Sequence, residues 1–392
     1  MSDPVTPQRL TCHHCGVAYR RPALAPGEWA TCFRCGSTLE TFALFSAAAW
    51  LAVLIATVIS FTLANAFPVA TLYVQGAGQA ASFIDAVVVT WNVGYPEVAV
   101  ITFAAGFFLP ACQLGLLIWI FGALAVGRLP LFFESAVELV DRLKPWCMVP
   151  VFLMGVLVAV VKLAGLASLT PGIGLFATAT SAVLITALAR LNSAKIRAMA
   201  HDLGLPAHPS PALKPPSPTI IMRTWALMLG AVILYIPANM LPIMKVSSMG
   251  SDSAHTILGG VIELWQMGSW DIALVVFIAS VVVPLFKLVA LGTLLFLTQQ
   301  KNSARLRQRT HLYVIVEFIG QWSMLDVFVV ILLSALGHFG SLLSIEPGGG
   351  AAAFGGVVIL TMIAAMGFDP RLAWRLSGHR KHLTRADLES TH

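Results

Sequence analysis

Eight apolar segments, each long enough to cross a lipid bilayer, make up most of this 392-residue chain. A spanning helix needs about 20 mainly apolar residues. Such runs occur at about 43–66, 97–124, 146–167, 172–191, 224–241, 271–298, 313–338 and 351–368. Only 11% of the residues are charged, against about a quarter in soluble domains. The sequence therefore predicts an all-α polytopic membrane protein with eight spans.

The basic residues indicate which side of the membrane each connection occupies. All but three of the 24 Lys and Arg fall in five clusters, at 1–42, 127–145, 190–224, 299–312 and 371–392. The other connections contain only Lys245. Because positively charged loops remain in the cytoplasm, we expect both termini there. The net charge of +6 is then a topology signal, and no nucleic-acid partner is expected.

Four cysteines precede the first apolar segment. Cys12, Cys15, Cys32 and Cys35 form two Cys-x2-Cys knuckles, each followed by a glycine. This spacing is typical of a zinc ribbon, and a reducing cytoplasm favours metal over disulfides. The sequence predicts one structural Zn²⁺. A ribbon that has lost its metal and folds against the membrane domain is the alternative.

The chain also repeats itself at an offset of 174 to 176 residues. Asn65-x-x-Pro68 matches Asn239-x-x-Pro242, and each motif ends the first apolar segment of its copy. An asparagine followed by proline ends a helix. We predict two tandem four-helix modules. The expected domains are a ribbon at 1–41, modules at 42–194 and 223–376, a linker at 195–222 and a cytoplasmic tail at 377–392.

Ionisable residues inside the apolar segments are the candidate functional site. Lys287 and Asp326 lie in neighbouring antiparallel spans, and a charge at a helix centre costs roughly 2.5–3.5 kcal/mol unless it is paired or lines a polar cavity. Pro284 leaves the carbonyl of Ser280 without its helical donor, which adds a polar notch. The pair is either a proton-coupled or substrate-gating site, or an ion pair that only fixes helix packing.

Three further ionisable residues carry weaker signals. Glu317 lies near the cytoplasmic end of its span and is expected to reach the interface or a loop. Lys162 and His338 lie near the outer ends of their spans, as membrane-edge anchors or as part of a lipid exit path.

Several motifs together resemble the paraquat-inducible protein A family. They are the two knuckles with Pro22, Pro26 and Gly27, the paired Ala-Asn-x-x-Pro motifs, Trp322-x-Met324-x-Asp326-Val327-Phe328 and Phe368-Asp369-Pro370-Arg371. The resemblance covers residues 11 to about 376. It implies tetraspanin-like modules in a bacterial inner membrane and a periplasmic MCE-domain tunnel partner with phospholipid as substrate. The chain departs from the family pattern at 195–222, which contains no second ribbon, and at Pro150, which stands where Asp326 stands in the second copy.

Three functions follow from these patterns. The first is a lipid transporter that moves phospholipid or related lipids to or from the tunnel partner. The second is a non-transporting scaffold that anchors this partner. The third, a thiol redox enzyme, would need paired cysteines in the outer connections, which contain none. No phosphate-binding or hydrolase motif occurs, so enzyme activity is not expected.

Overall fold

Helices dominate the computed structural model, as the composition predicts. The structure describes residues 9–21, 24–25, 27–41, 45–74, 77–164, 168–206, 219–248, 251–266, 268, 270–300, 306–320, 325–336 and 343–376. Everything stated below about the structure concerns these residues. His338 and the predicted tail 377–392 lie outside them.

The N-terminal ribbon consists of two short antiparallel hairpins. Strand β1 (Arg9–Thr11) pairs with β2 (Ala18–Arg20), and β3 (Trp29–Thr31) pairs with β4 (Thr38–Thr41). Each hairpin turns through one Cys-x2-Cys knuckle. Gly16 and Gly36 close the two turns at φ values of 77° and 78°, a backbone conformation that glycine adopts without strain.

The first copy of the repeat runs from α1 to α8. Its elements are α1 (Ala47–Ala66), β5 (Ala70–Val74), β6 (Ala77–Ala81), α2 (Phe83–Asn92), α3 (Pro96–Phe103), α4 (Leu109–Ala125), α5 (Phe133–Leu143), α6 (Val149–Ala164), β7 (Ser168–Pro171), α7 (Ile173–Leu188) and α8 (Ser193–Asp202). The three strands form an antiparallel sheet in the order β6-β5-β7. This sheet lies at the end of α1 away from the ribbon.

The second copy has the same order of elements. They are α9 (Thr219–Met240), β8 (Met244–Ser248), β9 (Ser251–His255), α10 (Ile257–Gln266), α11 (Trp270–Phe277), α12 (Val283–Gln299), α13 (Leu306–Gly320), α14 (Leu325–Leu336), β10 (Leu343–Pro347), α15 (Gly349–Gly367) and α16 (Arg371–Leu376). Its sheet has the corresponding order β9-β8-β10.

A π-helical turn interrupts the same helix in both copies. It covers Ala104–Phe108 before α4 and Ile278–Val282 before α12. Pro110 and Pro284 stand just after these turns, and proline cannot donate the usual backbone hydrogen bond. The N–H of Val283 instead donates to the carbonyl of Ile278, five residues earlier. The sequence predicts that Pro284 perturbs its helix, and in the structure a widened π-helical turn precedes this proline.

Six helical stretches among the described residues are long and apolar enough to cross a membrane. They are Ala47–Ala66, Pro96–Ala125, Phe133–Ala159, Thr219–Met240, Ala273–Gln299 and Gly349–Trp374. Helices α7 and α8, bent by 69°, make a seventh if they are taken as one span. The predicted span 313–338 corresponds to α13 and α14, and residues 321–324 between them are outside the described ranges.

Two features of the connections differ from the sequence-based description. The all-α prediction is correct for the bulk of the chain, but it omits the two three-stranded sheets and the ribbon hairpins. Their strands are short and rich in small residues, so they show little alternation of apolar and polar positions. Helix α8 also occupies the start of the range 195–222 that the sequence predicts as a linker.

The two copies pack against each other through α6 and α14. The rings of Phe152 and Phe328 meet edge to face at a centroid distance of 5.5 Å. Phe83 of α2 contacts Phe152 in the same way at 4.9 Å. These aromatic rings belong to one continuous apolar core that includes buried residues from both copies.

Candidate functional site

Lys287 is the one lysine among the described residues that is almost fully buried. Only 1% of its surface is exposed, near the start of α12 and in the middle of the apolar stretch Ala273–Gln299. Its Nζ donates a hydrogen bond of 3.0 Å to Oγ1 of Thr361 on α15. The Thr361 hydroxyl in turn donates to the carbonyl of Val358 at 3.0 Å. An ammonium group within a membrane-length helix is therefore held by a polar chain that ends on the backbone of another helix.

The polar notch predicted near Lys287 involves the π-helical turn. Ser280 lies in this turn and is fully buried, and its hydroxyl donates to the carbonyl of Val276 at 2.6 Å. Pro284 is also buried, one turn before Lys287 on the same helix. The Ser280 hydroxyl is thus used within its own helix.

For three of the remaining predicted polar residues the structure describes the backbone but not the side chain. Asp326 lies on α14, Glu317 on α13 and Lys162 on α6, but the side chains of all three are outside the described part of the structure. His338 falls in 337–342, which is not described. The Lys287–Asp326 pair therefore stays a prediction. Thr361 is a partner of Lys287 that the sequence reasoning missed, because one threonine in an apolar helix carries no signal.

The first copy has no equivalent of this lysine. Gln113 stands 174 residues before Lys287, is 6% exposed and accepts a hydrogen bond from the thiol of Cys147. Ile185 stands 176 residues before Thr361. At the position of Ser280 the first copy has Gly106, where an added Cβ would lie 2.4 Å from the ring of Phe83. In the first copy, uncharged side chains therefore replace Lys287 and Thr361, and the ring of Phe83 fills the space beside the position of Ser280.

The two Asn-x-x-Pro motifs make the same hydrogen bonds in both copies. The Nδ2 group of Asn65 donates to the carbonyl of Phe61, and that of Asn239 donates to the carbonyl of Tyr235, both at 2.8 Å. Each asparagine therefore completes the last turn of its own helix, as expected for a motif that ends a helix.

The prolines of these motifs lie against glycines of a later helix, which the sequence reasoning did not identify. The carbonyl of Pro68 accepts from the N–H of Gly174, and that of Pro242 accepts from Gly350, both at 3.0 Å. A Cβ added to Gly172 would lie 2.2 Å from the Pro68 carbonyl oxygen, and one added to Gly348 would lie 2.1 Å from that of Pro242. The sequence signal for these contacts was a pair of glycines at the start of the fourth apolar segment of each copy, Gly172 and Gly174 in the first and Gly348 and Gly350 in the second.

The four ribbon cysteines meet in one buried cluster. Sγ of Cys12 lies 3.6 Å from Sγ of Cys35, and Sγ of Cys15 lies 3.5 Å from that of Cys32. All four sulfur atoms are within 4.8 Å of one another. A tetrahedral zinc ion with Zn–S bonds of about 2.3 Å would separate its sulfur ligands by roughly 3.8 Å. The donor set and its dimensions therefore fit one Zn²⁺.

Hydroxyl groups around the cluster favour thiolate ligands. Oγ of Ser37 lies 2.9 Å from Sγ of Cys35, and the Tyr19 hydroxyl lies 3.1 Å from Sγ of Cys32. Hydrogen bonding to Cys15 lowers the pKa of Cys12 to about 6, and hydrogen bonding to Cys12 lowers the pKa of Cys32, whereas hydrogen bonding to Cys12 raises the pKa of Cys15 and of Cys35. Metal ligands of this kind bind as thiolates.

The ribbon packs on elements from both copies of the repeat. The guanidinium of Arg34 lies 4.7 Å from the ring centroid of Trp374 on α16. Arg21 forms an ion pair of 2.8 Å with Asp202 on α8, and another of 2.8 Å with Glu40 of the ribbon itself. The buried cysteines also share an apolar cluster with Leu306 at the start of α13. The ribbon therefore connects α8 of the first copy to α13 and α16 of the second.

The chain is similar to several curated bacterial proteins. It is 32% identical over 96% of its length to the intermembrane transport protein PqiA of Escherichia coli (strain K12), covering 97% of that protein. It is 27% identical to the probable intermembrane transport protein of Haemophilus influenzae (strain ATCC 51907 / DSM 11121 / KW20 / Rd), over 95% of this chain and 97% of the relative. It is 32% identical over 63% of its length to the lipophilic envelope-spanning tunnel protein A of Escherichia coli (strain K12), covering 64% of it.

No solved structure matches the chain. The family model of paraquat-inducible protein A matches twice, at residues 47–197 and 221–377. These two ranges coincide with the two copies of the repeat and leave the cysteine ribbon outside them. Because the matched ranges cover well over half of the chain, it belongs to the paraquat-inducible protein A family.

Proposed function

We propose that this chain is a multi-pass inner-membrane subunit that moves phospholipid or related lipids to or from a periplasmic MCE-domain tunnel partner. The names of its relatives, which refer to intermembrane transport and to an envelope-spanning tunnel, support this role. The observation that carries the proposal is the buried Lys287–Thr361 contact inside a membrane-length helix. An ionisable group at such depth is costly to bury, and this cost is the reason for proposing a functional role for Lys287.

The proposed topology has eight spans and two cytoplasmic termini. It adds to the six apolar stretches a span formed by α7, after which the chain bends into α8, and a broken span formed by α13 and α14. The ribbon, α5, α8 and α16 then lie on the cytoplasmic side, and the two sheets lie on the periplasmic side. The modules at 42–194 and 223–376, with the linker 195–222 between them, are part of the same proposal.

The second module carries the proposed transport site. Lys287, with Asp326 as its proposed counter-charge, forms a polar site beside an otherwise apolar path for the lipid. A phosphate headgroup that reaches Lys287 would compete with Asp326 for the ammonium group, and a proton taken up by Asp326 would release the lysine to the lipid. Ser280 and Pro284 widen the helix at this depth. Lys162, His338 and Glu317 are proposed to line the ends of the path.

Zinc has a structural role in this proposal. Cys12, Cys15, Cys32 and Cys35 would hold one Zn²⁺, and the ion would supply the folding free energy that some 30 residues cannot obtain from their own core. The chemistry of transport is assigned to the membrane helices alone, and no catalytic residue is proposed.

A lipid-transfer assay tests the proposal directly. Full-length protein is reconstituted with fluorescent phospholipid and with the MCE-domain protein that co-purifies with it, and transfer to acceptor vesicles is followed. Lys287→Met should reduce transfer at least tenfold while the partner still co-purifies. Thr293→Val is the matched control, because this exposed hydroxyl on the same helix only bonds to the Val289 carbonyl at 2.7 Å. Unchanged transfer by Lys287→Met would support the scaffold alternative, and failure to recover an MCE-domain partner would refute the proposed partnership.

A further inference from the structure

A cleft of about 790 Å³ opens between the ribbon and the bend that joins α7 to α8. One wall consists of ribbon residues, among them Arg21, Trp29 and Glu40. The opposite wall is formed by the start of α1 and by residues 183–198 around the bend. In the proposed orientation this places the cleft at the cytoplasmic surface of the membrane, between the ribbon and the first module, and Lys287 does not line it.

The depth of the cleft follows from the packing of α1 on α7. Ser60 of α1 donates to the carbonyl of Ala177 on α7 at 2.9 Å. Because the two helices are antiparallel, Trp50 lies at the level of Val183 to Ala187. Val183 is 70% exposed on the lipid-facing side of α7 and borders the same cleft. The cleft is therefore open both to the membrane interior and to the headgroup region.

Trp50 lines this cleft and carries a buried hydrogen-bond donor that no described residue uses. Its ring is 5% exposed and meets Phe45 edge to face at 5.3 Å. No described residue accepts a hydrogen bond from its buried Nε1–H group. A buried donor without an acceptor costs roughly 1–3 kcal/mol, so an acceptor from outside the described residues would stabilise this group.

Two cations stand on the same wall. Arg190 in the bend and Lys195 in the first turn of α8 both line the cleft. Neither forms an ion pair with a carboxylate among the described residues. Burial and then repulsion from the positive charge of Arg190 lower the pKa of Lys195, whereas the carboxylate of Glu40 acts in the opposite direction. An anion bound between them would remove this repulsion.

We infer that this cleft binds the phosphate-bearing headgroup of a glycerophospholipid from the cytoplasmic leaflet. The phosphate oxygens accept hydrogen bonds from Trp50 Nε1, Arg190 and Lys195. The acyl chains leave the cleft along Phe45 and the exposed side of α7 at Val183. The carboxylate of Glu28 on the ribbon wall suits a headgroup that also carries an amine, whereas that of Glu40 is paired with Arg21.

This assignment rests on the proposed orientation of the chain in the membrane and is independent of transport through the Lys287 region. A bound lipid would touch the ribbon, α1, α7 and α8 at once. The ribbon would then form one wall of a lipid site in addition to holding metal, and the first module would have a ligand of its own.

Native mass spectrometry of the delipidated full chain tests the inference. Dioleoyl phosphatidylethanolamine is titrated onto the protein, with dioleoylglycerol, which lacks the phosphate, as the headgroup control. Trp50→Phe keeps the ring but removes the donor, and the double variant Arg190→Gln/Lys195→Gln removes both charges. We expect each to weaken binding of one phospholipid by roughly tenfold or more, since hydrogen bonds to charged groups are strong. Arg142→Gln, an exposed cation on the same face, should leave binding unchanged.

Three results would overturn the inference. The first is unchanged phospholipid affinity in both cleft variants, with the variants shown to be folded by their melting temperatures. The second is dioleoylglycerol binding as tightly as the phospholipid. The third is displacement of the phospholipid by millimolar inorganic phosphate, which would identify a site for a soluble anion. Lys287→Met should retain the phospholipid at this cleft, so failure of the transport proposal and failure of this one give different results.

Discussion

Lys287 on α12 and Thr361 on α15 are joined by a hydrogen bond of 3.0 Å between two helices of the second repeat. The corresponding positions of the first repeat, Gln113 and Ile185, cannot form such a contact. The two repeats therefore share a backbone plan but differ in where they place charge. This asymmetry is the basis for proposing the transport site in the second module.

The first prediction concerns the hydroxyl of Thr361. Thr361→Val removes an acceptor from a buried ammonium group and should lower the free energy of unfolding by about 1–3 kcal/mol. Thr361→Ser keeps the hydroxyl and should lose less. Thermal unfolding in detergent micelles measures both, with Thr293→Val as the control for a hydroxyl bonded only to its own helix. Equal melting temperatures for Thr361→Val and Thr293→Val would contradict the assigned role.

The second prediction concerns metal content. The purified chain should contain about one zinc ion, and Cys32→Ser should reduce this to near zero, because structural zinc sites need all of their ligands. Elemental mass spectrometry after dialysis measures the ion. Cys112→Ser is the matched control, since this half-buried cysteine lies on α4 outside the cluster. Zinc retained by Cys32→Ser, or none in the unaltered chain, would remove the zinc assignment.

The third prediction concerns the glycines that face the Pro68 and Pro242 carbonyls. Gly348→Ala would place a methyl group 2.1 Å from the carbonyl oxygen of Pro242. The backbone has to move apart, and overpacking of this kind costs about 1–3 kcal/mol. At the neighbouring Gly349 the nearest atom to an added Cβ is a Leu241 methyl group at 3.7 Å. Gly348→Ala should therefore lower the melting temperature clearly more than Gly349→Ala, and the reverse order would show that the close approach is absent.

The fourth prediction concerns the attachment of the ribbon. Arg34→Ala removes the cation over the Trp374 ring, a contact worth about 0.5–1 kcal/mol at a partly exposed site. Hydrogen exchange in β3 and β4 should then become several-fold faster, while Arg20→Ala, an exposed arginine on β2, should have little effect. Identical exchange in both variants would mean that the ribbon is held mainly by its apolar contacts with Leu306 and Ala373.

Features that depend on residue spacing or on long apolar runs could be predicted from the sequence. The Cys-x2-Cys knuckles have fixed ligand geometry, so the meeting of Cys12, Cys15, Cys32 and Cys35 was expected, and the structure brings them together. The apolar runs placed the ends of α1, α9 and α15 within a few residues. Lys287 stood out because a charge is rare in such a run.

Features that depend on tertiary contacts could not be predicted. Thr361 becomes visible as a partner only when α15 is placed beside α12. The contacts of Arg21 with Asp202 and of Arg34 with Trp374 join residues far apart in sequence. In the two sheets, β5 pairs with β7 and β8 pairs with β10, and each partner strand follows about 100 residues later. No local sequence pattern therefore indicates these pairings.

The meeting of Phe152 and Phe328 has a consequence for the origin of the chain. The two residues stand at equivalent places, 176 residues apart, so each ring touches its own counterpart. Self-contact of this kind is what a twofold axis produces when two identical subunits associate. A progenitor half as long would use this face to form a homodimer with two equal sites. Within one chain the two halves that meet at this face are free to differ in sequence, as Lys287 and Gln113 do.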